Sequence, residues 1–228
     1  MTHLHVPDGV LPLALWAPGL AVALLLLVPS VRASRLARRP SPGFQAALGG
    51  LMLAVMSIPV PLFAMEYCLT LGGPVGVLLG PAAAFQTVFV VSVILALLGQ
   101  GGLTVVGLNA LVLGAGAAVA RPAYLALRGR LSAPAALAGA TAIAQLAAGL
   151  LWFGVLALAT RIDPAFLADP HSPRLTLLAG VTFAMWGVAI AIESAVAFGI
   201  GRFLGRVRPD LLPGAERGIA PAAGKVAS

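Results

Sequence analysis

Two of the three histidines in this chain stand within its first five residues, a local concentration of side chains that bind metals. His3 and His5 precede Pro7-Asp8-Gly9. Proline restricts the backbone and Asp-Gly favours a tight turn, so we expect the imidazoles to be held in a fixed, folded-back geometry. Neutral imidazole suits cobalt, nickel, copper and zinc. The alternative is a solvated tail that holds two histidines by chance.

A second group of possible ligands lies in Met65-Glu66-Tyr67-Cys68. The thiolate of Cys68 is a sound ligand for late first-row metals, and Glu66 offers a carboxylate oxygen instead. The alternative for Cys68 is a small apolar side chain that only packs. Cys68 is the single cysteine of the chain, which excludes an internal disulfide.

The amino terminus offers another set of nitrogen ligands. Removal of Met1, which the small Thr2 permits, would leave a free Thr2 amine next to His3. Amine, amide nitrogen and imidazole would then form adjacent chelate rings, a tetragonal set suited to nickel or copper. Intact Met1-Thr2-His3 could also chelate, through its amine and two amides. We favour His5 as the ligand, because Pro7-Asp8-Gly9 fixes its position.

The composition places these candidates on a membrane protein. Apolar residues make up 60% of the chain, charged residues 9%, and the mean hydropathy is +1.03. A soluble domain would hold roughly 25% charged residues. The net charge of +7 comes from basic residues at the ends of apolar runs. That placement indicates orientation in a cell membrane rather than nucleic-acid binding.

The apolar runs predict how often the chain crosses the bilayer. Six runs are near or above the ~20 residues that a spanning helix needs. A shorter apolar piece, Leu69–Gly80, lies between the second and the third run. The six runs are Leu11–Val31, Phe44–Ala64, Ala82–Gly99, Leu103–Ala120, Pro134–Thr160 and Thr176–Leu204.

The arginines decide whether the shorter piece also crosses. Basic residues concentrate in the loops Arg32–Arg39 and Arg121–Arg130 and from Arg202 onward. These regions share the cytoplasmic side only if Leu69–Gly80 crosses as a short helix that runs directly into Pro81. We therefore expect an all-α polytopic membrane protein with about seven transmembrane helices, its N-terminus outside and its C-terminus cytoplasmic.

Residues 1–208 are expected to form a single transmembrane domain, followed by a disordered cytoplasmic tail over 209–228. Asn109 and Glu193 fall inside predicted spanning helices. A lone amide or carboxylate is costly there, so both side chains should face the bundle and find partners. The third histidine, His171, is expected in an outer loop as a solvated turn residue.

Two stretches resemble the CbiM/NikM family, the substrate-capture components of energy-coupling-factor transporters. His5-Val6-Pro7-Asp8-Gly9 resembles the opening of that family, and Gln100-Gly101-Gly102-Leu103-Thr104-Val105-Val106-Gly107-Leu108-Asn109 resembles its Asp-Gly-Gly-Leu-Thr-Ala-Leu-Gly-Ala-Asn motif. The resemblance implies a metal held by the amino terminus and an adjacent His. Cys68 falls where the family places a further ligand His, and apolar Met185-Trp186 falls where it has another His.

The resemblance implies that the chain captures cobalt or nickel for an ATP-driven uptake system, and holds no resident cofactor. Asp8, Gln100, Asn109 and Glu193 would support the ligands from behind. Partners would be a membrane-embedded coupling subunit, cytoplasmic ATPases and membrane lipid, since the chain lacks a phosphate-binding loop. Cys68 could shift the preference toward copper or zinc. The alternatives to metal capture are a relative of the family that transports another solute or only scaffolds a complex, and a membrane enzyme.

Overall fold

Seven α-helices and a short β-hairpin make up the described part of the computed structural model, which covers residues 11–36, 41–62, 65–162 and 175–214. This confirms the predicted all-α membrane fold, with the hairpin as an addition. The helices are α1 Leu13–Leu36, α2 Pro42–Met56, α3 Gly72–Leu79, α4 Pro81–Leu97, α5 Val106–Arg128, α6 Ala133–Ile162 and α7 Leu175–Val207; the strands are β1 Val60–Leu62 and β2 Met65–Tyr67.

The second apolar run is not helical throughout, which corrects the prediction of a helix over Phe44–Ala64. Ser41 begins α2 by accepting a hydrogen bond from the Phe44 N–H at 3.2 Å, but the helix ends at Met56. Pro59 and Pro61 follow. Proline removes a backbone donor and disfavours helix in the residue before it, so the chain turns into the antiparallel β1–β2 hairpin instead.

The short helix predicted before Pro81 is present as α3. Gly80 separates α3 from α4 with a φ of +80°, a backbone conformation that glycine adopts without strain. Pro81 then occupies the first turn of α4, where its missing N–H costs nothing. The eight residues of α3 span only about 12 Å, less than half of a 30 Å hydrocarbon core, so a crossing by this segment stays a prediction.

Four helices have the length and hydropathy of membrane spans: Leu13–Ser34 in α1, all of α5 and α6, and Phe183–Val207 in α7. The shorter helices α2 and α4 are also apolar. The protein is therefore a multi-pass membrane protein. Its longest helices exceed the ~20 residues needed for a 30 Å hydrocarbon core.

The arginine-rich segments meet at one end of the bundle, as predicted. Gln86 of α4 donates to Ser34 of α1 at 3.1 Å, and Arg121 of α5 packs over Gly80. Gly201 of α7 lies against the backbone of Pro134 in α6. We call this end the basic end, defined by Arg32, Arg121, Arg128, Arg130, Arg202, Arg206 and Arg208. Its cytoplasmic location stays a prediction from the positive-inside rule.

Two predicted boundaries differ from the structure at the basic end. Arg121 and Arg128 belong to α5 rather than to a loop, because the helix continues through Pro122 to Arg128. Beyond α7, Pro209–Leu211 forms a 3-10 turn and Leu212 is buried. Order therefore extends past residue 208, while residues 215–228 lie outside the described part and the division into domains stays a prediction.

The core is organised around α3. Val75 and Leu79 pack with α2, α4 and α5, whereas Val77 packs with α5, α6 and α7. The glycines on α3 permit this contact, since a Cβ on Gly76 would overlap the carbonyl of Ala117 and one on Gly73 would overlap Thr141. We call residues 67–79, from Tyr67 through α3, the inner segment. Within it, α3 packs against α2, α4 and α5 on one side and against α5, α6 and α7 on the other.

Candidate functional site

The centre of the bundle holds a buried carboxylate that binds the backbone of the inner segment. Glu193 is 1% exposed, and its Oε1 accepts hydrogen bonds from the Thr70 N–H at 2.6 Å and the Thr70 hydroxyl at 2.7 Å. Non-helical backbone at membrane depth is tolerated only where protein groups satisfy it. Glu193 is the acceptor for the Thr70 N–H, and Thr70 is the buried partner that was predicted for Glu193.

Two further side chains complete this polar cluster. Gln145 of α6 donates through Nε2 to the Thr70 hydroxyl at 2.8 Å, and the Tyr67 hydroxyl lies 3.3 Å from Glu193 Oε1. The Tyr67 hydroxyl thus donates toward the same carboxylate oxygen that holds Thr70.

Cys68 sits between two residues that Glu193 holds. Tyr67 precedes it and Thr70 follows two positions later, and both bind the same carboxylate oxygen. The thiol is partly buried and has an interaction partner. The hydrogen bonds on either side fix the backbone that carries Cys68, which gives the thiol a defined position where the chain enters the bundle.

The remaining predicted ligands are not brought together by the described residues. Thr2, His3, His5 and Asp8 lie outside the described part of the chain, as does His171. Glu66 is described only through its backbone, which pairs with Pro61 in the hairpin. Within the described ranges, no group of three or more His, Cys, Asp or Glu could hold a metal ion. The metal site therefore stays a prediction.

Gln100 and Asn109 occupy the end of the bundle opposite to the basic end. Gln100 donates through Nε2 to the carbonyl of Ser57 at 3.1 Å, which ties the end of α4 to the end of α2. Asn109 is 3% exposed in the first turn of α5 and has an interaction partner. Asn109 is thus buried as predicted, while a role of either residue behind a metal stays a prediction.

The roles of Tyr67, Thr70 and Gln145 were not predicted from the sequence. A signal for Gln145 was available, because it is a lone amide in the apolar run of α6 and must find a partner in the bilayer. The Met185-Trp186 position is filled by packing: the Trp186 ring lies 5.9 Å from that of Trp152 and covers Gly149. This region therefore adds an aromatic contact between α6 and α7.

Two solved structures share this fold. The crystal structure of a truncated transition metal transporter has a TM-score of 0.75 and 20% identity, with 88% of this chain and 97% of that chain covered. The crystal structure of a transition metal transporter has a TM-score of 0.69 and 20% identity, with 89% and 93% covered. At this identity the likeness concerns the fold.

Sequence comparison decides the family. No curated protein sequence matches the chain. The sequence model of the CbiM family, described as the cobalt uptake substrate-specific transmembrane region, matches residues 5–211. That span includes the inner segment, Glu193 and the Gln100–Asn109 motif. The chain therefore belongs to the CbiM family of membrane components for metal uptake.

Proposed function

We propose that the chain is the substrate-binding membrane subunit of an ATP-driven uptake system for cobalt or nickel. It captures the divalent ion on the outer face, with the His5 imidazole as one ligand and the Cys68 thiolate as another. The membership in the CbiM family supports the transport role, and the fold likeness to transition metal transporters agrees with it. The protein is a binding subunit rather than an enzyme.

The observation that carries this proposal is the clamp around Cys68. Glu193 binds Thr70 through two hydrogen bonds and lies within reach of the Tyr67 hydroxyl, so the residues flanking Cys68 are fixed to α7. A metal site needs ligands whose positions are set before the ion arrives. The clamp supports a ligand role for Cys68, because it limits where the thiol can lie.

The position of Leu11 supports a site for His5 at the outer end of the bundle. Leu11 is buried against Val105 and Ala159, at the end of the bundle opposite to the basic end. His5 precedes Leu11 by six positions in the sequence, and extended chain covers at most about 20 Å over that distance. The same end carries Gln100 and Asn109, which we propose support the ligands together with Asp8. The Thr2 amine and His3 of a processed terminus are the alternative to His5. The carboxylate of Glu66 is the alternative to Cys68.

The uptake cycle requires partners. The sequence has no phosphate-binding loop of the Gly-x4-Gly-Lys-Ser/Thr type, so the proposed cycle draws on separate cytoplasmic ATPases and a membrane-embedded coupling subunit. The helix that follows Cys68 in the chain, α3, packs directly against the backbone of α5 through Gly76. Copurification of the chain with an ATPase would support this assembly.

Metal titration of the purified full chain in detergent tests the capture site. We would compare Ni, Co, Cu and Zn for the wild type, His5→Ala, His3→Ala and Cys68→Ser, with the N-terminal mass recorded. We expect one-to-one binding that weakens about 10–100-fold or more in His5→Ala and clearly in Cys68→Ser. His171→Ala, which removes a histidine from another segment, is the matched control and should leave binding unchanged.

The same titration can reject the proposal. Loss of binding in His3→Ala, with Met1 absent, would move the site to the processed terminus. Tighter binding of Cu or Zn than of Co or Ni would change the substrate, as a thiolate ligand could favour. No binding tighter than about micromolar for any metal would refute metal capture and leave only the membrane fold.

A further inference from the structure

A lateral groove of about 650 Å³ opens between α1, α4, α5 and α6, and neither Cys68 nor the polar cluster around Glu193 lines it. Each helix forms one wall, and the lining includes Leu26 of α1, Phe85 of α4, Ala115 of α5 and Leu151 of α6. The only polar side chain in its lining is Ser30, and that hydroxyl donates to the Leu27 carbonyl of its own helix at 2.6 Å. The groove therefore offers contacts to hydrocarbon and none to a metal ion or a polar solute.

The length of the groove matches one leaflet of the bilayer. Its α5 wall runs from Leu108 to Ala118, a rise of about 15 Å. The hydrocarbon core of a bilayer is about 30 Å thick, so one acyl chain of one leaflet fits this length. A transmembrane helix of a partner would need a groove of about twice that length. The dimensions favour a lipid chain as the occupant.

One end of the groove lies at the basic end of the bundle. Pro81 and Ala82 line it there, and Arg121 packs over the adjacent Gly80, with its Nη1 2.9 Å from a Cβ built at that position. Arg32 precedes Ala33, which lines the groove from α1. Arg121 and Arg32 make no ion pair with another described residue, and the only acid with a described side chain at this end is Asp210, which binds Arg208.

We propose that this groove is a binding site for an anionic phospholipid. One acyl chain lies between α1, α4, α5 and α6, and the phosphate lies beside Arg121, with Arg32 contributing to the positive field. Basic residues at the mouth of a pocket between transmembrane helices recognise anionic head groups. The site is independent of metal capture, since none of the residues that line it is a proposed metal ligand or a residue proposed to support one.

Native mass spectrometry of the full chain in detergent tests the site. The protein is titrated with phosphatidylglycerol and with phosphatidylcholine that carries the same acyl chains. We expect one high-affinity phosphatidylglycerol, bound about fivefold more tightly than phosphatidylcholine. Arg121→Gln should remove this preference. Arg206→Gln removes the same charge from an exposed position of the basic end, on α7, and should leave the preference intact.

A second variant tests the hydrocarbon part of the site. Ala115→Leu places three extra carbons in the groove and should weaken both lipids about tenfold. Ala126→Leu, at an exposed position of the same helix, is its control. Thermal unfolding midpoints establish that each variant is folded, and Ala118→Leu replaces Ala115→Leu if the latter does not fold.

Four results would overturn the proposal. The first is equal affinity of the wild type for the two lipids, and the second is equal loss of preference in Arg121→Gln and Arg206→Gln. The third is unchanged lipid binding in folded groove-filled variants. Copurification of a polypeptide that Ala115→Leu displaces, without an effect on lipid, would assign the groove to a partner helix and would also overturn it.

Discussion

The inner segment and the basic end use polar groups in opposite ways. In the inner segment, Glu193 is 1% exposed and binds Thr70 and Tyr67, which lie far away in sequence. At the basic end, Asp210 binds Arg208 two residues away, and both side chains are about 60% exposed. Burial removes water as a competing partner, so the carboxylate of Glu193 holds the inner segment in place. The exposed carboxylate of Asp210 is solvated and adds little to stability.

This comparison predicts its largest effect at Glu193. Glu193→Ala leaves the Thr70 N–H and the Thr70 hydroxyl without their acceptor, and leaves the Tyr67 hydroxyl only the carbonyl of Ala189 at 3.4 Å. Each buried donor left unpaired costs about 1–3 kcal/mol, so we expect the free energy of unfolding to fall by about 3 kcal/mol or more. Denaturant unfolding in detergent would measure the change, together with metal affinity.

Glu193→Gln sharpens the same test. It keeps the Oε1 acceptor and changes Oε2, which has no hydrogen-bond partner among the described residues. We expect it to retain most of the stability that Glu193→Ala loses. Wild-type stability in Glu193→Ala would refute the role of this carboxylate in holding the inner segment.

The next effect concerns how closely the inner segment packs. Gly76→Ala would drive a Cβ into the carbonyl of Ala117, whereas Gly187 of α7 has no heavy atom near such a Cβ. Overpacking costs typically about 1–3 kcal/mol. We expect Gly76→Ala to lower the thermal unfolding midpoint and Gly187→Ala to leave it unchanged or raise it. Equal effects of the two variants would contradict the close approach of α3 to α5.

A smaller effect is expected at Tyr67. Tyr67→Phe removes one hydroxyl that donates toward Glu193 and keeps the ring. The loss should be about 0.5–1.5 kcal/mol in the free energy of unfolding. Because the two groups interact directly, the effect of Tyr67→Phe should be smaller in the Glu193→Ala background, where the hydroxyl keeps only the carbonyl of Ala189 at 3.4 Å. Additive losses in this double-mutant cycle would show that the hydroxyl acts elsewhere.

The smallest effect is expected at the basic end. The hydrogen bond from Arg208 holds the pKa of the Asp210 carboxyl below its ordinary value, so its stabilisation is present at neutral pH. It is lost only as the pH falls through that lowered pKa. Asp210→Asn should leave the thermal unfolding midpoint unchanged at pH 7, because exposed pairs are screened by water and salt. A clear drop would place this pair among the structural contacts.

The sequence alone predicted the class of the protein and much of its architecture. Long apolar runs specify spanning helices, because a bilayer leaves no other partner for backbone groups. The arginines around Arg32, Arg121 and Arg202 predicted the helix before Pro81, and Gly80-Pro81 marked the break between α3 and α4. Glu193 was predicted to be buried with a partner, since an unpaired carboxylate is costly in the membrane.

Only the tertiary structure identified what these residues contact. Glu193 meets Thr70 across 123 positions of sequence, and no local periodicity encodes such a pairing. The hairpin that replaced the end of the second apolar run needed Pro59 and Pro61 to outweigh hydropathy. The lateral groove beside Arg121 likewise exists only where α1, α4, α5 and α6 meet. Hydropathy fixes which segments enter the bilayer, whereas hydrogen-bond partners and voids depend on which helices become neighbours.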